Sequence, residues 1–225
     1  MSIRDLVTSG YHKGITNKEL WNKASAEYGA AFIDPPNPEM LDLLIGMTQP
    51  ESRIFEYGCS TGMNLAYLAK HGRPHVGGVD ISDVAIAQGF ETYDDLDLQI
   101  SVADYSQPSG DSAKRLDASW DVIFTRGTLQ HLGGDEVRNA LFSLLSMLKP
   151  GGILAIDEAN VGGSASTMLD ITNNLHAHPW SYLLTEVYGD LLQGIAYPQA
   201  AYPGNSHKLT PFFVTKKGQE DEKEV

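Results

Sequence analysis

Glu56, Asp80, Asp104 and His131 stand where chemistry on a bound ligand needs them. Glu56 lies two residues before Gly58 in Arg53-Ile-Phe-Glu-Tyr-Gly-Cys-Ser-Thr-Gly-Met-Asn64, an apolar run that breaks into a turn with Gly58 and Gly62. Asp80 closes His75-Val-Gly-Gly-Val-Asp80, and Asp104 follows Leu98-Gln-Ile-Ser-Val102. Such positions are the carboxyl ends of strands. A glycine there can take φ > 0, and its missing side chain lets a ligand approach the backbone. From the end of the next strand a carboxylate can accept from two ribose hydroxyls, the role expected of Asp80, 24 residues after Glu56. The other reading of Asp80 is a helix-start residue beside Ser82. His131, six residues past Thr125, is the imidazole best placed to move a proton.

The turn discriminates among nucleotide-like ligands. A dinucleotide prefers G-x-G-x-x-G, whose second glycine admits the pyrophosphate. Here those positions read Gly58, Ser60 and Met63, so only the first fits. A negative Glu56 also repels a pyrophosphate and suits a ligand with a positive amino group and no phosphate. S-adenosylmethionine fits that description.

These residues require strands that end together. The capping-box spacing Thr16-Asn-Lys-Glu19 predicts a helix running towards Tyr28. Asn37 and Pro38 start a second helix, with Met40, Leu41, Leu44 and Ile45 on its apolar face. From residue 51 the pattern alternates: strand 53–57, helix 62–71, strand 75–80, a helix capped by Ser82 to about Phe90, and strand 98–102. A polar loop over 106–118 precedes strand 120–124, and a helix carries Val137, Leu141, Leu144, Leu145 and Leu148. Lys149-Pro-Gly-Gly152 stops that helix before strand 153–156. Beyond 159 the pattern is weaker, with helices expected over Leu169–Leu175 and Ser181–Leu192 and a last strand over 210–215. Strand–helix alternation at this spacing gives βαβ units, right-handed crossovers and an open parallel sheet.

Composition narrows the partners. The 225 residues carry a formal net charge of −13, which repels nucleic-acid backbones and favours a small-molecule substrate. No apolar run is long enough to span a membrane, and no secretory signal precedes the helices. Cys59 is the only cysteine, so no internal disulfide forms and a cytoplasmic setting is expected. The chain is read as one domain: a helical cap over 1–50, a cofactor-binding core over 51–160, a variable substrate-side stretch over 159–210, and a disordered acidic tail over 218–225. Oligomeric state is not legible.

Glu56-Tyr-Gly58-Cys-Ser60-Thr-Gly62 resembles the acidic-x-G-x-G-x-G motif of class I S-adenosylmethionine-dependent methyltransferases, with Ser60 in place of the middle glycine. Gly78-Val-Asp80-Ile-Ser, Val102-Ala-Asp104, Asp121-Val-Ile-Phe and Leu148-Lys-Pro-Gly-Gly-Ile-Leu154 extend the resemblance over residues 50–160. It implies a Rossmann-like α/β fold: a doubly wound, mostly parallel sheet with an antiparallel last strand and helices on both faces. It also implies S-adenosylmethionine as cofactor and methyl transfer to oxygen or nitrogen of a small metabolite, such as a sugar or natural-product intermediate. Methylation of RNA or protein, and cofactor binding without catalysis, are the alternatives.

Carried over by the resemblance, Glu56 and Gly58 hold the amino acid end, with Tyr57, Cys59, Ser60 and Gly62 completing the turn. Asp80 holds the ribose. Ile81 packs on adenine, and Asp104 accepts from its amino group with Ala103 and Tyr105 alongside. Thr125 and Arg126 lie beside the methionine portion. Trp21 and Tyr28 cap the site or simply pack, and Asn64 either touches ligand or caps helix backbone. His131 is either the catalytic base or scaffold. No metal is expected: Asp157, Glu158 and Asn160 lack acidic partners at the fourth strand end, and His176 with His178 supplies only two ligands. Asp34-Pro-Pro-Asn37, similar to the D-P-P-Y motif of amino methyltransferases, reads better as a linker and helix start.

Overall fold

The fold was taken from a computed structural model, which describes residues 16–28, 38–107, 118–159, 165–170, 175–196 and 212–216. Asp34 to Asn37, Asn160 and the acidic tail lie outside the described residues. Along the chain come α1 (Asn17–Tyr28), α2 (Glu39–Met47), β1 (Ile54–Tyr57), α3 (Met63–Lys70), β2 (Val76–Asp80), α4 (Asp83–Thr92) and β3 (Gln99–Val102). There follow β4 (Trp120–Arg126), a 3₁₀ turn (Leu129–His131), α5 (Gly134–Met147), β5 (Leu148–Asp157), β6 (Thr167–Asp170), β7 (Leu175–Ala177), α6 (Trp180–Tyr188), β8 (Leu192–Ala196) and β9 (Phe212–Lys216).

Seven strands form one sheet in the order β3-β2-β1-β4-β5-β9-β8. The first five pair in parallel; β9 runs antiparallel to β5, and β8 antiparallel to β9. Strand order reverses between β1 and β4, which opens a crevice at their carboxyl ends. The fold is thus the expected Rossmann-like α/β arrangement.

Period-2 alternation explains why both faces are covered. Phe55, Tyr57, Ile123, Leu154 and Ile156 enter a core with α5 and α6. Their neighbours Ile54, Val122, Phe124 and Ala155 enter a second core with α2, α3 and α4.

Local signals behaved as their chemistry requires. The Glu19 N–H donates to Thr16 Oγ at 3.2 Å while Glu19 Oε2 accepts from the Thr16 N–H at 2.8 Å, closing the capping box before α1. Ser82 Oγ accepts from the Ala85 N–H at 3.0 Å as the cap of α4.

Three expectations need correction. Residues 167–170 and 175–177 are not helical but pair as an antiparallel two-stranded sheet, β6 with β7. The apolar spacing there is too short to separate a strand from a helix. The helix expected to reach Leu192 ends at Tyr188, and Leu192–Ala196 becomes β8. Strand β5 starts at Leu148, five residues before the expected Ile153, and the extra residues are absorbed as a bulge between the pairs Trp120–Leu148 and Val122–Ile153.

Candidate active site

The crevice holds a cavity of about 230 Å³ whose wall includes Tyr57, Gly58, Ser60, Asp80, Ile81, Ala103, Asp104 and Arg126. Trp21, from α1, and His131 are also on the wall. Tyr57 and Arg126, far apart in sequence, therefore line one cavity, because each strand of the parallel sheet delivers its carboxyl end to the same side. Asn17, Ser25, Ser106, Gly127, Thr128 and Leu132 line it too, and sequence reasoning missed them. For Ser106 a signal existed: Asp104 Oδ1 accepts from the Ser106 N–H at 2.9 Å, the local turn that an aspartate two residues before a serine favours.

The glycine turn is shaped by three left-handed residues, Gly58, Ser60 and Gly62, and the first two differ in tolerance. Gly58 has φ +77°, and a Cβ built there would fall 2.1 Å from Thr128 Oγ, so only glycine fits. Ser60 adopts φ +50° with its side chain in place, which accounts for the serine where the motif has glycine. Its N–H donates to Asp80 Oδ2 at 2.9 Å, while Asp80 Oδ1 accepts from the Ser82 N–H at 2.8 Å. Asp80 thus ties the turn to the start of α4 and lines the cavity. Burial raises its carboxyl above the usual range, against the pull of those backbone donors.

Glu56 is placed differently from expectation. It is 1% exposed and sits behind the turn, off the cavity wall. Asn64 neither caps helix backbone nor reaches the wall; its Nδ2 donates to Glu56 Oε1 at 2.6 Å. Glu56 Oε2 and Asn64 Oδ1 are both buried and have no hydrogen-bond donor among the described residues. Burial pushes the Glu56 carboxyl up to about 8, with the Asn64 hydrogen bond and the Arg126 charge opposing it and the Asp80 charge adding to it. Buried polar atoms left without a partner are costly, and a bound group that pairs with them while drawing Glu56 into its charged form would remove that cost.

The remaining expected residues divide. Cys59 is buried off the wall, and burial raises its thiol. Gly62, at φ +83°, caps α3 and approaches Leu98 and Ile100 rather than the cavity. Tyr105 stacks on Tyr57 with ring centroids 5.9 Å apart. Thr125 is fully buried, its hydroxyl donating to Glu158 Oε1 at 2.7 Å. Arg126 Nε pairs with Asp157 Oδ2 at 3.2 Å. Trp21 meets the His131 ring edge-on at 5.1 Å. The backbone of Tyr28 ends α1; its side chain lies outside the described residues.

Asp157 and Glu158, considered beforehand only as metal ligands, have protein partners instead. Asp157 takes Arg126, and Glu158 takes Thr125 together with the N–H groups of Thr128, Leu129 and Gln130.

Comparison with known proteins bears on the family and the fold. Residues 55–154 match a family model described as a methyltransferase domain. An uncharacterised Haemophilus influenzae protein is 26% identical over 158 residues, 68% of this chain and 61% of its own length. A wheat (Triticum aestivum) phosphoethanolamine N-methyltransferase is 28% identical over 178 residues, 76% of this chain and 33% of its own. The chain therefore spans about three fifths and one third of the lengths of these relatives. Among solved structures, Haemonchus contortus phosphoethanolamine N-methyltransferase 2, in complex with phosphomonomethylethanolamine and S-adenosylhomocysteine, superposes with a TM-score of 0.64 at 16% identity. That match covers 97% of this chain and 61% of the other, a likeness of fold.

Proposed function

We propose that this chain, whose residues 55–154 match a methyltransferase domain, is a class I S-adenosylmethionine-dependent methyltransferase that methylates an oxygen or nitrogen of a small metabolite. The observation that carries the reading is the pair of donorless acceptors, Glu56 Oε2 and Asn64 Oδ1, buried behind the Gly58 turn. An ammonium offers three N–H groups and a positive charge, and so satisfies both atoms while drawing Glu56 into its ionised form.

In this reading Arg126, steadied by Asp157, pairs with the carboxylate beside that ammonium. Asp80 takes the ribose hydroxyls; its oxygens each have a lone pair left after accepting from Ser60 and Ser82. Ile81 and Ala103 bracket adenine, whose amino group donates to Asp104. Trp21 closes the site from α1. Bound there, S-adenosylmethionine supplies a methyl group already activated on a sulfonium. The protein's work is alignment and exclusion of water. His131 accepts the proton that an acceptor hydroxyl or ammonium must lose. Nitrogen is the acceptor atom favoured by the wheat relative, whose name specifies N-methylation.

The test is formation of S-adenosylhomocysteine from S-adenosylmethionine with a panel of amines, phosphoethanolamine included, and hydroxylated metabolites. Thermal shifts with S-adenosylhomocysteine and with NAD run alongside. Stabilisation by S-adenosylhomocysteine and turnover with a panel member are expected; stabilisation by NAD alone contradicts the reading.

A further inference from the structure

His131 sits at the end of a short 3₁₀ turn, and such a turn has too few internal hydrogen bonds to fix a side chain by itself. Both of its ends are held from outside. At the start, Glu158, which is fully buried, accepts four hydrogen bonds. Its Oε1 takes Thr125 Oγ at 2.7 Å, the Thr128 N–H at 2.8 Å and the Leu129 N–H at 3.1 Å; its Oε2 takes the Gln130 N–H at 3.2 Å. These are the amides that a turn's first residues leave without partners.

At the far end, the Leu132 carbonyl accepts from His178 Nε2 at 3.1 Å. A carbonyl can only accept, so Nε2 carries the proton and Nδ1 accepts from Ser166 Oγ at 2.8 Å. One neutral tautomer is thereby set. Burial, followed by the neighbouring His176, lowers the His178 imidazole to about 4, which keeps that tautomer through the neutral range. The two holds are joined. Ala159, next to Glu158, accepts at its carbonyl from the His178 N–H at 3.2 Å and from Trp180 Nε1 at 2.9 Å. Its own N–H donates to Gln130 Oε1 at 3.3 Å.

We propose that Glu158 and His178 are a pair of positioning residues that clamp the two ends of the 128–132 turn and so aim His131, with Thr128, into the cavity. This rests on the proposed role of His131 as the proton acceptor. Neither residue lines the cavity. Three of the four hydrogen bonds to Glu158 come from the turn, and His178 gives its Nε2 proton to the turn's last carbonyl. The hairpin β6–β7, which leads into His178, thereby reports on the geometry of a side chain in a different element.

The experiment compares wild type with Glu158→Gln, Glu158→Leu and His178→Phe. Amide hydrogen exchange at Thr128, Leu129 and Gln130 and the His131 ring resonances are read alongside turnover and S-adenosylhomocysteine affinity. Glu158→Gln keeps the Oε1 acceptor, but its amide nitrogen faces the Gln130 N–H. Exchange at Gln130 is expected to quicken about tenfold, and the His131 resonances to move. Turnover is expected to fall by up to about a hundredfold, as for a misplacement near 1 Å, with affinity held within about threefold. Glu158→Leu is expected to exceed this at all three amides, and His178→Phe to shift the His131 resonances with a smaller loss of turnover.

Unchanged His131 resonances and turnover in Glu158→Gln and His178→Phe, with only a lower melting temperature, would overturn the proposal in favour of a purely structural role. Equal losses of affinity and turnover would overturn it in favour of a ligand contact. Should wild type turn over no acceptor, the methyltransfer reading fails while the resonance and exchange measurements still decide the clamp. Should Glu158→Leu fail to fold, Glu158→Gln decides.

Discussion

Two buried glutamates, Glu56 and Glu158, sit at the carboxyl ends of neighbouring regions of one sheet and are finished in opposite ways. Both are almost wholly removed from water, and burial raises both carboxyls, Glu56 to about 8 and Glu158 to about 7. Glu158 has donors on each oxygen, four in all, and they supply its turn with a fixed shape. Glu56 has one donor, Asn64, and leaves Oε2 unmatched. Burial alone does not distinguish a ligand seat from a scaffold; the donor count does. A buried carboxylate with its hydrogen bonds complete is part of the frame; the oxygen left over on Glu56 is what the proposed ammonium contact would use.

The largest expected effect falls where the two regions touch. Gly58, behind which Glu56 lies, is opposed by Thr128, whose N–H is held by Glu158. Gly58→Ala adds a Cβ 2.1 Å from Thr128 Oγ at a left-handed φ. A loss of about 3 kcal/mol in urea unfolding is expected, from overpacking plus a left-handed alanine. A change below about 0.5 kcal/mol would mean that the regions are not in register.

Next comes a crossed pair of substitutions. Glu56→Gln is expected to weaken S-adenosylhomocysteine binding by about 10- to 100-fold, the worth of a charge-assisted bond, while raising the melting temperature of the free protein. Glu158→Gln is expected to do the reverse, losing about 1 kcal/mol of stability through its mismatched amide with affinity nearly unchanged. The same sign in both variants would erase the distinction drawn here.

The pH dependence sharpens it. Because the folded Glu56 carboxyl is raised above its ordinary 4.5, folding takes up a proton there. The associated stability is complete below that value and is lost as pH rises towards about 8. Melting temperature of the free protein should therefore fall across that window, and less steeply in Glu56→Gln. The smallest effect is expected at Ser60→Gly. It relieves a φ of +50° but adds chain entropy to the unfolded state, so stability should move by less than about 1 kcal/mol. The Asp80 tether, made by the Ser60 backbone, should survive.

The sequence made the strand-end half of this contrast readable and hid the other half. Glu56, Gly58, Asp80 and Asp104 are legible because each follows a short apolar run, and parallel strands bring such positions together whatever else the chain does. The orphaning of Glu56 was not legible, since it depends on Asn64 turning back across the turn instead of capping α3. Glu158 passed as a metal candidate without a partner because its partners are backbone N–H groups, which have no residue type to recognise. The hairpin β6–β7 was missed for a related reason: short apolar stretches in the 165–177 region carry no period that separates strand from helix. Thr128 opposing Gly58 and Leu132 meeting His178 are likewise tertiary contacts, with no sequence spacing to announce them.

The claim that Glu56 and Asn64 await an ammonium is tested most directly by the proton balance of binding. Calorimetric titration with S-adenosylhomocysteine near pH 7, repeated in buffers of different ionisation enthalpy, reads the protons exchanged on binding. With its carboxyl raised to about 8, Glu56 is mostly protonated in the free protein and must ionise against the ammonium. Wild type is expected to release close to one proton at this group, and Glu56→Gln to release correspondingly less while binding more weakly. Identical proton release and equal affinity in the two proteins would contradict the account.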